Sequence, residues 1–216
     1  MKGKGLTPVK AAFLGILFGL VTCSYPILPG AQSSTEGDST FQDELQGKFL
    51  VAQPQVNDPR FAKSIILLID HSSSAGSMGL VVNKVMGKLD SAEVLENLEL
   101  EPLDREEKLT IFFGGPVELN HGFILHTCET SVETSRNVSE NLAFSADAET
   151  VRLLISGKGP QRYLIAFGYA GWAAGQLETE LERGDWRIMP ADLDIVFTEN
   201  PEDSWDLLMK DQVFRL

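Results

Sequence analysis

The hydrophobic residues of the chain fall into short runs, separated by polar turns, that have the length of β-strands. Residues 64–69 form a continuous apolar run rich in isoleucine and leucine, which predicts a strand buried on both faces. Residues 162–169 predict a second central strand. Similar but shorter runs predict strands at 48–52, 78–82, 109–113, 122–127, 142–144, 186–189 and 194–197.

Four segments are typical of helices, namely residues 91–98, 147–155, 172–183 and 201–209. The residues expected to cap their ends are Ser91, Asp147 and Asn200 at the start and Gly157 and Gly184 at the finish. Residues 72–77 (SSSAGS) predict a flexible loop. Because strands cluster and helices intervene without a regular strand–helix alternation, the pattern favours a single α+β domain over a doubly wound fold.

The N-terminal residues have the three-part pattern of an export signal. Lys2, Lys4 and Lys10 form a positive region that precedes an apolar run, residues 11–21, and this run is shorter than the about 20 residues a membrane span requires. Small residues at 31 and 33 predict cleavage after Ser33. We expect residues 1–33 to be the signal, 34–46 an acidic flexible tether and 47–216 the folded domain.

Two alternatives to cleavage stay open. If the apolar run extends through Pro26 to Leu28, it is an uncleaved membrane anchor. Leu20 and Cys23 resemble a lipobox, although Thr22 stands where Gly, Ala or Ser is usual, so Cys23 is a candidate lipidation site. In both cases the membrane is contacted through the N-terminal segment alone.

Charge narrows the range of partners. The sequence has 31 acidic and 18 basic residues, a formal charge of −13, and loss of the three signal lysines makes it −16. This field repels phosphate backbones and anionic lipids, so we expect no nucleic-acid partner and leave a protein or a small molecule open. Cys23 departs with the signal, so Cys128 is interpreted as a small, partly buried structural cysteine, with a catalytic thiol as the alternative.

The sequence has no phosphate-binding loop, nucleophile elbow or metalloprotease helix motif, and no cofactor is expected. Three histidines, His71, His121 and His126, are predicted in a loop after a strand, a hairpin-like turn and a strand end. A metal site would need them to converge with a carboxylate such as Asp70, and their spacing does not support this, so no metal is expected.

Two glycine-rich segments follow predicted strands. Gly114, Gly115 and Pro116 form a tight turn, or else let the backbone approach a ligand. Residues 168–172, which include Gly168, Tyr169 and Trp172, are predicted to join a strand to a helix and resemble a pocket rim. The alternative is that both aromatic residues cap the core. On the helix that follows, Gln176, Glu178 and Glu182 occupy a polar face, interpreted as solvated, with paired carboxylates as the alternative.

Ordered blocks of residues resemble the AlgH/YqgE family of bacterial proteins, from about residue 48 to about residue 197. The blocks are residues 49–52, Pro54, Asp58, Pro59, His71, 79–84, 114–117, 122–127, 168–172, 175–178 and 190–192. The resemblance implies an α+β fold whose mixed β-sheet curls into a barrel-like shape with flanking helices. It implies no established activity.

The family name comes from a proposed role in alginate regulation, often described as transcriptional, and the acidic charge here argues against direct DNA binding. Family members resemble cytoplasmic proteins that begin near the first strand. This chain departs from them by its N-terminal extension, and by Asp70, where Glu is common. We therefore expect an exported protein, located in the bacterial periplasm.

Two functions are compatible with these patterns. The preferred one is a non-enzymatic binding or regulatory domain, with a surface built from segment 71–83 (including His71, Gly79 and Asn83), turn 114–116 and turn 168–172. These blocks fall in predicted loops and strand ends, where binding residues concentrate. The alternative is a hydrolase that uses His126 or His71 as general base, with Cys128 or a carboxylate nearby.

Overall fold

A strongly curled ten-stranded sheet dominates the computed structural model, which describes residues 45–213. The strands are β1 (Lys48–Ala52), β2 (Ile65–Ser72), β3 (Gly76–Val81), β4 (Val85–Asp90), β5 (Lys108–Phe113), β6 (Val117–Thr127), β7 (Arg136–Ser139), β8 (Leu142–Ser145), β9 (Tyr163–Trp172) and β10 (Trp186–Pro190). The helices are α1 (Ser91–Asn97), α2 (Ala148–Ile155), α3 (Gln176–Glu182), α4 (Leu193–Val196) and α5 (Ser204–Val213), with a 3-10 helix at Pro201–Asp203.

The main path through the sheet is β10-β1-β2-β3-β9-β6-β8-β7, and β4 and β5 branch from it at β9. Strand β9 is the hub because it pairs with three neighbours. Its first half lies antiparallel to β6 and parallel to β5, and its second half lies antiparallel to β3. The β5–β9 pair makes the sheet mixed, since the other pairs within residues 45–213 are antiparallel.

Strands β1 and β2 are buried on both faces, as the apolar run at 64–69 predicts. Successive side chains of a strand point to opposite faces, so each strand supplies two different cores. One face contributes Phe49, Val51, Ile65, Leu67 and Ile69 to the largest hydrophobic cluster. The other contributes Leu50, Ala52, Ile66 and Leu68 to a cluster that also contains Trp172, Leu177 and Trp186.

The sheet curls so that β7 comes back to β2. Arg136 of β7 donates hydrogen bonds to Asp70 Oδ2 (3.0 Å) and to Ile69 O (3.4 Å) of β2. Nearby, Gln46 Nε2 donates to Val138 O at 3.1 Å. Side chains therefore bridge the opening of an incomplete barrel.

The helices flank the sheet and bury its remaining faces. Helices α1 and α2 cover β5, β6 and β9 through a cluster that includes Val94, Leu95, Val151 and Leu154. Helix α5 packs Trp205 and Leu208 on the largest cluster, and Trp205 Nε1 donates to Ala52 O at 2.7 Å. The predicted single α+β domain with a mixed, barrel-like sheet and flanking helices is confirmed.

The predicted helix at 172–183 is wrong at its beginning. Trp172 and Gly171 belong to β9, where they pair with Ser77 and Met78 of β3, and the helix begins at Gln176. Gly175, at φ +73°, turns the chain between the two elements. Residues 168–172 are therefore strand, because the pairing partner β3 extends β9 beyond its apolar run.

The predicted strand at 194–197 is also wrong, since residues 193–196 form helix α4. Asp192 caps this helix by accepting a hydrogen bond from Asp194 N at 2.8 Å, and a short side chain of this kind favours a helix start over a strand. The predicted loop at 72–77 is a tight hairpin, with β2 extending to Ser72 and β3 beginning at Gly76.

Two strands, β4 and β7, were not predicted, because VMGKLD lacks a continuous apolar run and RNVS is mostly polar. Asp147 caps α2 and Gly157 follows it at φ +72°, as predicted. Asn200 holds the predicted cap position, at the start of the 3-10 helix, without a side-chain cap hydrogen bond, whereas Ser91 is not at a cap position. Asp90 holds the cap position of α1, and Ser91 Oγ instead accepts from Glu107 N at 3.0 Å.

The predicted signal at 1–33, most of the tether at 34–46 and Cys23 lie outside the described residues. Leu45 and Gln46, at the end of the predicted tether, are described, and Leu45 packs against the cluster that contains Trp172. Among residues 45–213, the helices are all too short or too polar to cross a bilayer.

Candidate functional site

A cleft of about 390 Å³ opens between the β1–β2 connection and the segment that runs from the end of β9 through α3 to the start of β10. We call it the Glu180 cleft. It is lined by Gln55, Val56, Asn57, Asp58, Arg60, Phe61, Gly171, Trp172, Gln176, Glu180, Arg183, Asp185 and Trp186. Of the candidate site residues predicted from the sequence, Trp172 and Gln176 border it.

The carboxylate of Glu180 organises one wall of this cleft. Its Oε2 accepts hydrogen bonds from Trp172 Nε1 at 2.8 Å and from Trp186 Nε1 at 2.7 Å. Its Oε1 accepts from Gln176 Nε2 at 3.0 Å. Hydrogen bonds to a charged acceptor are the stronger kind, so Glu180 fixes the orientation of both indole rings.

Three separate elements bring these groups together. Trp172 is the last residue of β9, Trp186 the first residue of β10, and Glu180 lies on α3 between them. The two indole rings lie nearly perpendicular, at 83° with centroids 6.0 Å apart. Phe61 of the β1–β2 connection makes a similar edge contact with Trp186, at 82° and 5.9 Å.

Two arginine–aspartate pairs occupy the cleft. Arg60 donates to both oxygens of Asp58, and these hydrogen bonds lower the Asp58 pKa to about 2. Arg183 also donates two hydrogen bonds to Asp185, from Nε and from a terminal guanidinium nitrogen, and both go to the same oxygen, Oδ2. Both pairs join residues two positions apart, so each is a local feature of its own loop.

The glycines predicted as candidate ligand contacts meet the protein's own backbone. A Cβ on Gly115 would lie 2.0 Å from the carbonyl carbon of Tyr169, and one on Gly114 would lie 2.2 Å from Gly168 O. The turn between β5 and β6 therefore packs directly on β9, which leaves no room for side chains. Gly79 is similarly closed in by Ile66 and Leu67. Pro116 follows the two turn glycines and is half-buried.

The ring of Tyr169 packs on the largest cluster, where it makes an edge contact with Phe123 at 5.9 Å. Of its two predicted roles, this contact matches capping of the core. Tyr169 also stands outside the residues that line the Glu180 cleft.

His71 lies between a hydroxyl and a carboxylate. Its Nδ1 is 2.8 Å from Ser77 Oγ across the β2–β3 hairpin, and its Nε2 is 3.6 Å from Glu178 Oε1 on α3. That oxygen is buried and has no hydrogen-bond partner among the described residues. With the ring proton on Nε2, Nδ1 accepts from Ser77. His71 is thus in strand β2, not in the predicted loop, and it is buried.

His126 is almost fully buried within β6. Its Nδ1 donates to Thr127 O at 2.9 Å, so Nε2 of the neutral ring accepts from Ser135 Oγ at 2.6 Å. Cys128 is exposed, contrary to the partly buried position predicted. Partial desolvation of its Sγ atom, together with the nearby charge of Glu129, raises the pKa of the thiol. A raised pKa disfavours the reactive thiolate. His121 lies in β6, not in a turn, beside Glu118.

Asn83 has both ends of its amide occupied. Oδ1 accepts from Ile65 N at 2.7 Å, and Nδ2 donates to Lys63 O at 2.9 Å. The side chain therefore fastens the end of β3 to the start of β2. Within residues 45–213, no three His, Cys, Asp or Glu side chains group as metal ligands would.

Most of the cleft was not predicted from the sequence. Glu180 lies within the predicted helix 172–183 but is not among the polar-face residues named there, and Trp186 is predicted only as the first residue of strand 186–189. The sequence pattern cannot show that Glu180 lies between two tryptophans fourteen positions apart.

The chain matches known proteins over most of its length. A family model described as AlgH-like matches residues 49–216. The UPF0301 protein of Rhodopseudomonas palustris (strain HaA2) is 36% identical over 185 residues, 82% of this chain and 84% of that protein. The UPF0301 protein of Chromobacterium violaceum is 38% identical over 167 residues, 76% of this chain and 88% of that protein.

Two solved structures resemble the fold. The solution structure of the AlgH protein from Pseudomonas aeruginosa has a TM-score of 0.66 and 36% identity, and the match covers 86% of this chain and 94% of that one. The crystal structure of a Corynebacterium diphtheriae protein has a TM-score of 0.59 and 25% identity, covering 78% and 87%.

Proposed function

The chain belongs to the AlgH-like family, and from that premise we propose that it is a non-enzymatic binding domain whose ligand site is the Glu180 cleft. The observation that carries the proposal is the shared carboxylate, which holds two indole rings rigidly at the wall of an open cleft. Small-ligand sites are concave, rich in aromatic groups and equipped with a few fixed polar groups.

The titratable groups of the cleft are committed to holding its walls. Asp58 and Asp185 are paired with Arg60 and Arg183, and Glu180 accepts three hydrogen bonds. The two hydrogen-bonded histidine–serine pairs, His71 with Ser77 and His126 with Ser135, do not line the cleft. The cleft therefore combines fixed polar groups with no histidine base in its lining, which supports a role in ligand binding.

A ligand panel tests the proposal. The full chain is screened by thermal shift against cationic, anionic and neutral small molecules, and each stabilising ligand is repeated on Asn57→Trp, which places an indole at the exposed edge of the cleft. Asn120→Trp, on an exposed part of β6, is the matched control. We expect stabilisation to survive in the control and to be lost in Asn57→Trp. Ligands that stabilise both variants equally, or a panel without any stabilising ligand, would contradict the proposal.

A second candidate function, a hydrolase, is favoured by the Ser77–His71–Glu178 arrangement, in which a base lies between a hydroxyl and a carboxylate. In this arrangement His71 Nδ1 faces the Ser77 hydroxyl, and His71 Nε2 faces the Glu178 carboxylate. Labelling with a fluorophosphonate probe tests it, with Ser77→Ala as the variant and Ser74→Ala in the same hairpin as control. Labelling that persists in Ser77→Ala, or is absent from the native chain, rejects the hydrolase.

We further propose that the domain works outside the cytoplasm and meets a protein or small-molecule partner there, with no nucleic-acid partner. The supporting observations are the signal-like residues 1–33 and the formal charge of −13. N-terminal sequencing of the mature protein from each cell fraction tests this. Recovery of uncleaved chain in the cytoplasm would contradict export, and acylated Cys23 would identify a lipoprotein.

A further inference from the structure

Three aromatic rings that line the Glu180 cleft make two successive edge-to-face contacts. Phe61 and Trp186 lie at 82°, and Trp186 and Trp172 at 83°, with centroids 5.9 and 6.0 Å apart. The polar atom of each indole, Nε1, is already bonded to Glu180. Each tryptophan therefore offers the cleft its carbon framework and π electrons. A ring face that borders the open cleft attracts cations through its negative potential.

The charged side chains of the cleft also favour a cationic ligand. Three carboxylates and two guanidinium groups line it, and the guanidinium groups of Arg60 and Arg183 are held by Asp58 and Asp185. Glu180 is the remaining charge, and its three hydrogen-bond donors are neutral N–H groups. The cleft therefore carries one net negative charge, located between the two tryptophans.

The rim already shows the interaction that the cleft would offer a ligand. The Arg60 guanidinium carbon lies 5.8 Å from the centroid of the Phe61 ring. This separation is within the range of cation–π contacts. The protein thus places one of its own cations on the outermost ring while the two inner rings border the open volume.

We propose that the Glu180 cleft binds an alkylammonium group, which would contact Trp172, Trp186 and Phe61 and compensate the charge of Glu180. The inference rests on the proposed function of the cleft as a ligand site. Quaternary and lysine-type ammonium groups share this chemistry, and both are recognised by aromatic rings combined with a carboxylate. The volume of about 390 Å³ accommodates such a group, and the formal charge of −13 attracts cations over longer range.

Isothermal titration of the full chain with matched ligands tests the proposal. The probes are choline, its neutral isostere 3,3-dimethylbutan-1-ol, and Nα-acetyl-lysine amide, which presents a primary ammonium. We expect choline to bind about tenfold more tightly than the isostere, a difference of about 1.4 kcal/mol. Tighter binding of the lysine derivative than of choline would assign the ammonium to a partner's side chain, and the reverse to a free small molecule.

Variants then locate the binding. Glu180→Gln keeps the side-chain shape and removes the charge, so it should weaken choline about tenfold and weaken the neutral isostere, which depends only on the position of the rings, much less. Glu182→Gln, on the exposed side of the same helix, is the control and should stay within about twofold of the native affinity. Phe61→Leu provides a second variant if Glu180→Gln fails to fold, which thermal unfolding reveals. Arg60→Gln should tighten choline about twofold, because Asp58 becomes free to attract it.

The outcomes separate this inference from the proposed function. Equal affinity for choline and the isostere, or choline binding that is unchanged in both Glu180→Gln and Phe61→Leu, overturns the ammonium proposal. If neutral or anionic ligands still bind in a manner that Asn57→Trp abolishes, the cleft remains a ligand site for a different chemistry. If no ligand is sensitive to Asn57→Trp, both proposals fail.

Discussion

Replacing Asn83 by alanine should destabilise the fold, because this side chain fastens two strands inside the core. The amide accepts from Ile65 N at 2.7 Å and donates to Lys63 O at 2.9 Å, and it is 4% exposed. Lys63 has φ +56°, a left-handed conformation that a non-glycine residue adopts at a cost. The Asn83 hydrogen bond to its carbonyl helps to hold that conformation.

The size of the effect follows from which groups lose their partners. Ile65 is fully buried, so its N–H is left unsatisfied, at about 1–3 kcal/mol, whereas the carbonyl of exposed Lys63 recovers a hydrogen bond from water. We therefore expect Asn83→Ala to lower the free energy of unfolding by about 1–3 kcal/mol. Asn120→Ala, on the exposed part of β6, should change it by less than about 0.5 kcal/mol.

Urea unfolding followed by circular dichroism measures the difference, and hydrogen exchange at the Ile65 amide shows whether the loss is local. We expect faster exchange there in Asn83→Ala. An unfolding free energy equal to that of Asn120→Ala, with native protection at Ile65, would refute the fastening role. Loss of ligand binding without loss of stability would assign Asn83 to a binding surface instead.

Three further predictions follow from the same structure. Gly115→Ala should abolish soluble expression, because the added Cβ would overlap the Tyr169 backbone. Gly175→Ala, whose added Cβ would meet open space, should lower the free energy of unfolding in urea by only about 1 kcal/mol. Equal yields of the two variants would count against the close packing at Gly115. Burial raises the pKa of Asp147, but the hydrogen bonds that its carboxylate accepts outweigh burial, so the folded-state pKa is lowered. The stability that Asp147 contributes is therefore present above the unfolded-state pKa of about 3.9 and is lost as the pH falls toward the lower folded-state pKa. The stability difference between the native chain and Asp147→Asn should therefore shrink below about pH 4 in pH-dependent unfolding, and a constant difference would reject this. Cys128 should react with iodoacetamide more slowly at pH 8 than a free cysteine, because its pKa is raised; a faster reaction would contradict that environment.

The sequence predicted well those elements whose pattern is local. β1 begins and ends where its apolar run does, and the run at 64–69 gives the doubly buried strand β2. Asp147 starts α2 because its carboxylate reaches the amide of Thr150 only three positions ahead. Such signals act within a few residues, so they are readable without the rest of the chain.

The sequence predicted less well wherever a distant partner decides the conformation. Trp172 looked like the start of a helix, yet Ser77 of β3 draws it into a strand. Strands β4 and β7, which have no continuous apolar run, form because neighbouring strands offer them backbone partners, and the local sequence pattern does not show those partners. Gly115 is required by the backbone of Tyr169, more than fifty positions away.

The site divides in the same way. By itself the sequence determined the α+β class, the core strands, the acidic charge and the family resemblance, because periodicity, composition and ordered motifs are properties of the chain. Tertiary structure alone placed Phe61, Trp172, Glu180 and Trp186 around one cleft and set His71 between Ser77 and Glu178. The physical reason is that hydrogen bonds and ring contacts depend on distances of a few ångströms, and these are fixed only when separate segments pack on a common sheet.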